Sequence, residues 1–190
     1  MKKKGRVIII SGPSGSGKTT LYRKLLQSPK LKNRLVKSIS VTTRLSRGGE
    51  RHGRDYFFVT SKMFRYKKRA GHFLESMKVF GRDYGTPYKN VRDRLRAGKN
   101  VLLCIDVKGA RVVRRKIPEA LTVFIRTPTF ADLKKRLQNR ATEDPRSAKL
   151  RLNIAREELK EAPRYDYVVV NDRLDRAYRE LEKIILVETA

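Results

Sequence analysis

The run Val7-Ile8-Ile9-Ile10-Ser11, followed at once by Gly12-Pro13-Ser14-Gly15-Ser16-Gly17-Lys18-Thr19, constrains this chain more than any other feature of it. Four consecutive β-branched residues without a polar interruption suit a strand buried on both faces. The G-x-x-x-x-G-K-T octet then calls for a tight backbone wrap that opens into a helix. Its glycines let successive N–H groups converge on an anion, and the helix N-terminus adds partial positive charge. Lys18 is placed to reach the β- and γ-phosphates of a nucleotide. Thr19 can offer its hydroxyl to Mg²⁺, a hard ion that shares its shell with phosphate oxygens and water. Gly12 to Thr20 therefore reads as a triphosphate cradle, with ATP and Mg²⁺ as the implied cofactors and Thr19 as the metal-side residue.

Further along, short Val/Ile/Leu-rich segments alternate with stretches of helical period, the pattern of an α/β protein with a mostly parallel sheet. Strands are expected at Val7 to Ser11, Val101 to Asp106, Leu121 to Arg126 and Tyr167 to Asn171. Helices are expected near Gly17 to Gln27, Pro87 to Ala97, Gly109 to Arg115, Thr129 to Asn139, Pro145 to Lys160 and Leu174 to Ile185, with Thr129 as a cap. Two regions break the alternation. Between Val36 and Tyr84, the pieces Lys37 to Ser40, Tyr56 to Val59 and Phe73 to Glu75 read as a small mixed sheet inserted in the core, with one short helix. Arg140 to Lys149, polar and proline-containing between helices, reads as a lid. The expected architecture is a P-loop three-layer α/β fold in a single domain spanning 1–190. Its core comprises 1–35, 88–139 and 160–190, with an inserted lobe at 36–87 and a helical lid at 140–159.

Composition narrows the function classes. Lys and Arg number 47 against 19 acids, a formal net charge of +28, which favours anionic partners and allows non-specific contact with nucleic acid. No apolar run approaches the ~18 residues of a membrane span, so no membrane partner is expected. Neither is a secretory leader, because the apolar stretch after the first lysines is too short. Cys104 is the one cysteine, which leaves no intramolecular disulfide or multi-cysteine metal site and fits a reducing, cytoplasmic setting. Nothing in the pattern specifies an oligomer.

The stretch Thr42 to Phe58 crowds Arg44, Arg47, Arg51 and Arg54 onto a tight loop and follows them with Tyr56. Guanidinium groups bind phosphate bidentately and stay charged, and a tyrosine adds a directional donor. Such a loop suits a phosphate monoester. A solvated basic hairpin is the plain alternative.

Taken together, the P-loop, the T-T-R-x-x-R-x-G-E-x-x-G-x-D-Y stretch from Thr42 to Tyr56, Phe73-Leu74-Glu75, Tyr84-Gly85-Thr86, Ile105-Asp106-Val107 and Tyr165-Asp166-Tyr167 with Asn171-Asp172 resemble the guanylate kinase family, over nearly the whole chain. The resemblance implies transfer of a phosphoryl group from ATP to GMP. It implies that Ser40, Arg44, Arg47, Tyr56, Tyr84, Gly85 and Thr86 hold GMP, while Glu75 and Asp106 face its guanine ring. Carboxylates accept hydrogen bonds, and guanine offers N1–H and an amine where adenine has an acceptor at N1. Lid arginines Arg136, Arg140 and Arg151 would join Lys18 around the ATP phosphates, and Asn171 would lie near the adenine. Simpler readings stay open: Glu75 as a strand-end carboxylate, Asp106 and Asn171 as helix caps, the arginines as a basic surface.

Cys104, Lys108 and Gly48 depart from that family's usual pattern. Cys104 matters most, standing where an aspartate would help orient hydrated Mg²⁺. A related P-loop phosphotransferase such as a ribose 1,5-bisphosphate phosphokinase fits the octet but not the Arg44, Arg47, Tyr56 and Glu75 set. A catalytically silent guanylate-kinase-like interaction module would be expected to lack Lys18 or the lid arginines.

Overall fold

A computed structural model describes residues 4–138 and 145–190. Strand β1 (Val7–Ser11) is buried along its whole length, as its unbroken apolar run requires. It is the middle strand of a five-stranded, all-parallel sheet in the order β2-β7-β1-β8-β9. The flanking strands are β2 (Leu35–Lys37), β7 (Asn100–Cys104), β8 (Leu121–Arg126) and β9 (Tyr167–Val170).

The period-two alternation of β1 divides the core between two helical layers. Ile8 and Ile10 pack with Leu21 and Leu25 of α1 (Lys18–Leu26) and with Leu181 and Ile185 of α7 (Leu174–Glu188). Val7 and Ile9 pack on the other face with Val91 and Leu95 of α3 (Tyr88–Arg96) and Ala110 and Val113 of α4 (Val107–Lys116). After β1 the chain adds strands on one side, then crosses to the other for β8 and β9. The carboxyl end of β1 is thus the point where strand order reverses, the place where open α/β sheets bind ligands.

The second sheet is mixed, in the order β4-β3-β6-β5, formed by β3 (Val41–Thr42), β4 (Phe57–Phe58), β5 (Phe73–Val79) and β6 (Arg82–Pro87). Phe80 and Gly81, both with positive φ, make the two-residue turn of the β5–β6 hairpin. Helix α2 (Ser61–Arg69), capped by Thr60, closes the lobe by setting buried Phe64 against Phe73 with ring centroids 4.8 Å apart. Lys116 of α4 donates to the Leu74 carbonyl at 2.6 Å and ties this lobe to the core.

Three expectations need correction. The strand read at Lys37 to Ser40 is displaced to Leu35–Lys37, where it pairs with β7 as the edge of the core sheet rather than joining the inserted one. The inserted lobe's sheet therefore begins at Val41. The polar hairpin arm β6 was not anticipated, because Arg82-Asp83-Tyr84-Gly85-Thr86-Pro87 has no β-branched run and gains its pairing from β3 and β5. The strand expected at Val101 to Asp106 is β7 and stops at Cys104, since Asp106 turns to cap α4.

Helix α5 (Phe130–Gln138) starts as anticipated at Thr129, whose hydroxyl accepts from the Asp132 N–H while the Asp132 carboxylate accepts from that of Thr129. Of the expected lid, Arg140 lies outside the described residues, and α6 (Pro145–Leu159) is one continuous helix. A single 3₁₀ turn at Ala162–Arg164 leads into β9. Among the described residues no helix is long and apolar enough to cross a membrane.

Phe64→Ala should cost about 3–5 kcal/mol of stability. Hydrogen exchange should then speed up in 57–87 before it does in the parallel sheet. Uniform acceleration across both sheets would show that the inserted lobe has no separate stability.

Candidate nucleotide site

The phosphate loop is wedged between three elements that leave no room for side chains. Gly12 has φ +134°, and a Cβ there would stand 2.1 Å from the Ile125 carbonyl oxygen of β8. Gly17 has φ +91°, and its Cβ would stand 2.1 Å from the Asn171 amide nitrogen. Asn171, 5% exposed, donates from that nitrogen to the Ser16 carbonyl at 2.8 Å, and its own carbonyl accepts from Arg136 Nη2 at 2.8 Å. Gly15 faces Leu133 and Leu137 of α5. Lys18 Nζ donates to the Gly12 and Pro13 carbonyls at 2.6 and 2.8 Å, while Thr19 and Thr20 stand exposed on the first turn of α1.

Across from this loop lies the inserted lobe. Arg44 and Glu50 are largely buried and 2.9 Å apart. The guanidinium also lies 5.3 Å from the Tyr56 ring centroid and within electrostatic reach of the Tyr84 hydroxyl. Glu50 reaches further, accepting from the Arg47 N–H at 2.9 Å, so one carboxylate closes the loop and aims Arg44. Tyr56 and Tyr84 meet edge to face, and burial raises the Tyr56 pKa. Arg44, Tyr56 and Tyr84 thus form one cluster, while the Arg47 side chain is exposed at the rim. Ser40 holds the cluster from below through its carbonyl, which accepts from Phe57 N–H at 2.9 Å. Gly85 lies in β6 where a Cβ would press on the Phe73 ring at 2.9 Å.

Glu75 and Asp106 come together at Gly109. Glu75 Oε2 and Asp106 Oδ1 lie 3.1 and 3.2 Å from the position a Gly109 Cβ would take, so a larger residue there would press on both carboxylates. Asp106 caps α4 by accepting from Gly109 N–H at 2.6 Å, which makes the cap reading correct without removing its carboxylate from the cluster. Glu75 is 5% exposed and accepts from the Thr86 hydroxyl at 2.6 Å. Burial pushes its pKa up to about 7; the Thr86 hydrogen bond opposes the rise, and Asp106 adds to it.

At the end of β7, the Cys104 thiol stands within electrostatic reach of Lys18, Tyr22 and Tyr56, between loop and lobe. Burial raises its pKa, with Lys18 opposing. It is therefore a site-facing residue and not simply core filling. The Arg151 guanidinium lies 4.6 Å from the ring centroid of Phe80, at the tip of the β5–β6 hairpin. Sequence reasoning missed Glu50 and Phe80, although an acid set between Arg47 and Arg51 was a visible signal for the first.

Among the described residues no cluster of three or more His, Cys, Asp or Glu could hold a metal by itself. The hard oxygen of Thr19, exposed at the loop's end, instead fits a magnesium ion whose other ligands are phosphate and water.

A parallel sheet with this loop at its reversal point, facing a cleft lined by arginine, tyrosine and buried carboxylates, defines a P-loop phosphotransferase of the nucleoside monophosphate kinase class. The guanylate kinase family profile matches residues 4–188. A guanylate kinase of Rubrobacter xylanophilus is 42% identical over 183 residues, covering 96% of this chain and 94% of that one. One from Nitratidesulfovibrio vulgaris is 44% identical over 189 residues, covering 99% and 89%. The crystal structure of guanylate kinase from Anaplasma phagocytophilum superposes with a TM-score of 0.81 at 32% identity, covering 100% of this chain and 88% of that one. The chain belongs to the guanylate kinase family.

The raised Glu75 pKa carries a stability consequence with a definite sign. Between its ordinary value of 4.5 and about 7, the folded chain keeps a proton that the unfolded chain releases, so stability falls as pH rises through that window. Glu75→Gln should relieve this loss, gaining relative to the parent by up to roughly 3 kcal/mol between about pH 5 and 8. Urea unfolding of both proteins at the two pH values measures it. Parallel pH dependences would mean that Glu75 titrates normally.

Proposed function

We propose that this protein transfers the γ-phosphoryl group of ATP to GMP, yielding ADP and GDP. The observation that carries the choice of GMP is the meeting of Glu75 and Asp106 at Gly109. Two acceptors, Glu75 buried and Asp106 half-buried, match guanine's N1–H and amine, and adenine would leave them facing its N1 acceptor unpaired. Guanine's donors should also favour the charged form of Glu75.

In this reading the inserted lobe binds GMP and residues 140–159 form the lid. Arg44, already held by Glu50, takes the GMP phosphate with Tyr56 and Tyr84, and Arg47 closes from the rim. Ser40, Gly85 and Thr86 complete that wall, Thr86 by fixing Glu75. The amides of the Gly12–Thr20 loop cradle the ATP phosphates. Lys18, parked on two loop carbonyls, moves to the β- and γ-phosphates as they arrive. Arg136, Arg140 and Arg151 supply positive charge around the transferring group, for which Arg151 must leave Phe80. Asn171, with its amide occupied by Ser16, supports the loop from beneath the adenine side. Bound magnesium, held at Thr19, would supply charge neutralisation on the phosphates. Positioning and electrostatic stabilisation are most of what a protein contributes to this reaction.

A coupled assay with ATP, Mg²⁺ and each nucleoside monophosphate tests the proposal. GMP should be preferred over AMP, CMP and UMP by at least about a hundredfold in kcat/KM. Equal use of AMP would remove the guanine reading. Lys18→Ala should lower kcat by roughly a hundredfold or more, whereas Glu50→Ala, by freeing Arg44, should raise the KM for GMP by about tenfold with the KM for ATP unchanged.

Cys104 gives a separate expectation. Sulfur is a poor partner for hydrated Mg²⁺, and the thiol stands near Lys18. Cys104→Asp should reach half-maximal activity at lower Mg²⁺, with kcat equal to or above the parent's. Superimposable magnesium titrations would place metal organisation elsewhere.

A further inference from the structure

Helix α2 reads Ser-Lys-Met-Phe-Arg-Tyr-Lys-Lys-Arg, contains no acid, and has no part in the mechanism above. Its one buried side chain, Phe64, stacks on Phe73 and so fixes which way the helix is turned. At about 100° per residue, Lys62, Tyr66 and Arg69 then stand on the face opposite Phe64, with Arg65 beside them. All four are exposed.

That face continues onto α3. The turn after α2 folds back on it, with the His72 N–H donating to the Lys67 carbonyl at 3.0 Å. The His72 and Tyr66 rings meet edge to face with centroids 6.5 Å apart, and the His72 carbonyl accepts from the Tyr88 N–H at 2.9 Å. Tyr88 in turn carries the Arg92 guanidinium 5.8 Å from its ring centroid. Asp93 pairs with Lys89 at 2.6 Å and Arg92 at 3.4 Å, so the α3 side offers an aromatic ring more than net charge.

The chain has eight tyrosines, and Tyr66 and Tyr88, 64% and 46% accessible, are the two that stand exposed. Both lie on this one surface. A ring left in water contributes little to the fold, so two of them set among cations suit a partner that carries negative charge and flat apolar faces together. Single-stranded nucleic acid has both. Its phosphates match the cations of α2, and its unpaired bases can stack on tyrosine. A duplex keeps its base faces covered and would use the cations alone. An anionic lipid surface offers charge without stacking faces.

We propose that the outer face of α2, continued through His72 to Tyr88 and Arg92, is a binding surface for single-stranded nucleic acid. Lys62, Arg65 and Arg69 hold phosphates, and Tyr66 and Tyr88 stack on bases. None of these residues belongs to the nucleotide cleft, so the surface is independent of which monophosphate the cleft accepts.

Fluorescence anisotropy of the purified full chain tests this with labelled oligouridylate, oligothymidylate and a duplex, each of about 20 nucleotides, between roughly 50 and 200 mM salt. Both single strands should bind at the lower salt, at least about fivefold more tightly than the duplex. Preference for oligouridylate would identify RNA as the partner, and preference for oligothymidylate DNA. Tyr66→Ala combined with Tyr88→Ala should weaken single-strand binding by about tenfold or more with the salt dependence unchanged, while the corresponding pair of Phe substitutions stays within about twofold of the parent. Lys62→Ala, Arg65→Ala and Arg69→Ala together should reduce the slope of log K against log salt by roughly 2, at about 0.7 per phosphate contact. Removing the same charge elsewhere, through Lys32→Ala, Arg115→Ala and Lys183→Ala, should leave that slope as it is. Duplex bound as tightly as single strands, parental binding by the tyrosine-to-alanine pair, equal effects of the two charge triples, or preference for phosphatidylserine vesicles over every oligonucleotide would each overturn the proposal. Thermal unfolding checks each variant. Photocross-linking of thiouridine-substituted oligouridylate to the parent requires no variant: adducts within 61–92 support the surface, and adducts confined to other segments overturn it.

Discussion

The phosphate loop has no spare volume, and most of the site depends on that fact. A Cβ at Gly12 would collide with a backbone carbonyl of β8, and one at Gly17 with the amide that holds Ser16 in place. The first neighbour cannot yield cheaply, because it is backbone and Ile125 follows strand residues held in the parallel register that pairs Ile10 with Val123 and Ser11 with Phe124. The loop's shape is therefore a property of the sheet. Glycine satisfies its positive φ values without strain, and the sheet then excludes every other arrangement.

Electrostatics organise what the loop faces. In a chain with a large excess of arginine and lysine, a few acids are buried where they direct the cations. Glu50 aims Arg44 and pins the Arg47 amide, and Glu75 with Asp106 offers an acceptor pair at Gly109. The cleft thus presents cations toward phosphate and acceptors toward a base. Glu75 carries a pKa near neutrality because burial penalises its charge more than its neighbours relieve it. Such a group is kept in place by what it positions, since the unliganded fold gains little from its charge.

The inserted lobe, the core and α6 are linked by a small set of specific contacts. Lys116 on the Leu74 carbonyl joins the first two, and Arg151 on Phe80 joins α6 to the lobe. Substrate arriving at either side would act on these same residues. In the proposed reaction, an anion at Lys18 would draw it away from the Gly12 and Pro13 carbonyls, and a triphosphate would compete with Phe80 for Arg151. Closing the site therefore exchanges contacts the protein already makes.

The sequence alone determined the octet, the strand before it and the helix after it, because strand, turn and helix signals there are local and mutually consistent. The Thr129 cap and the arginine loop were legible for the same reason. The tertiary structure decided the rest. Leu35–Lys37 joins the core because β7 offers it a parallel edge, and β6 becomes a strand because two neighbours pair with it. Asp106 reads locally as a helix cap, and only the packing of β5 against α4 brings Glu75 to the same glycine. Each of these depends on contacts between residues far apart in the chain, whose partners are chosen by sheet order and helix packing and leave no periodic or compositional trace around the residue itself.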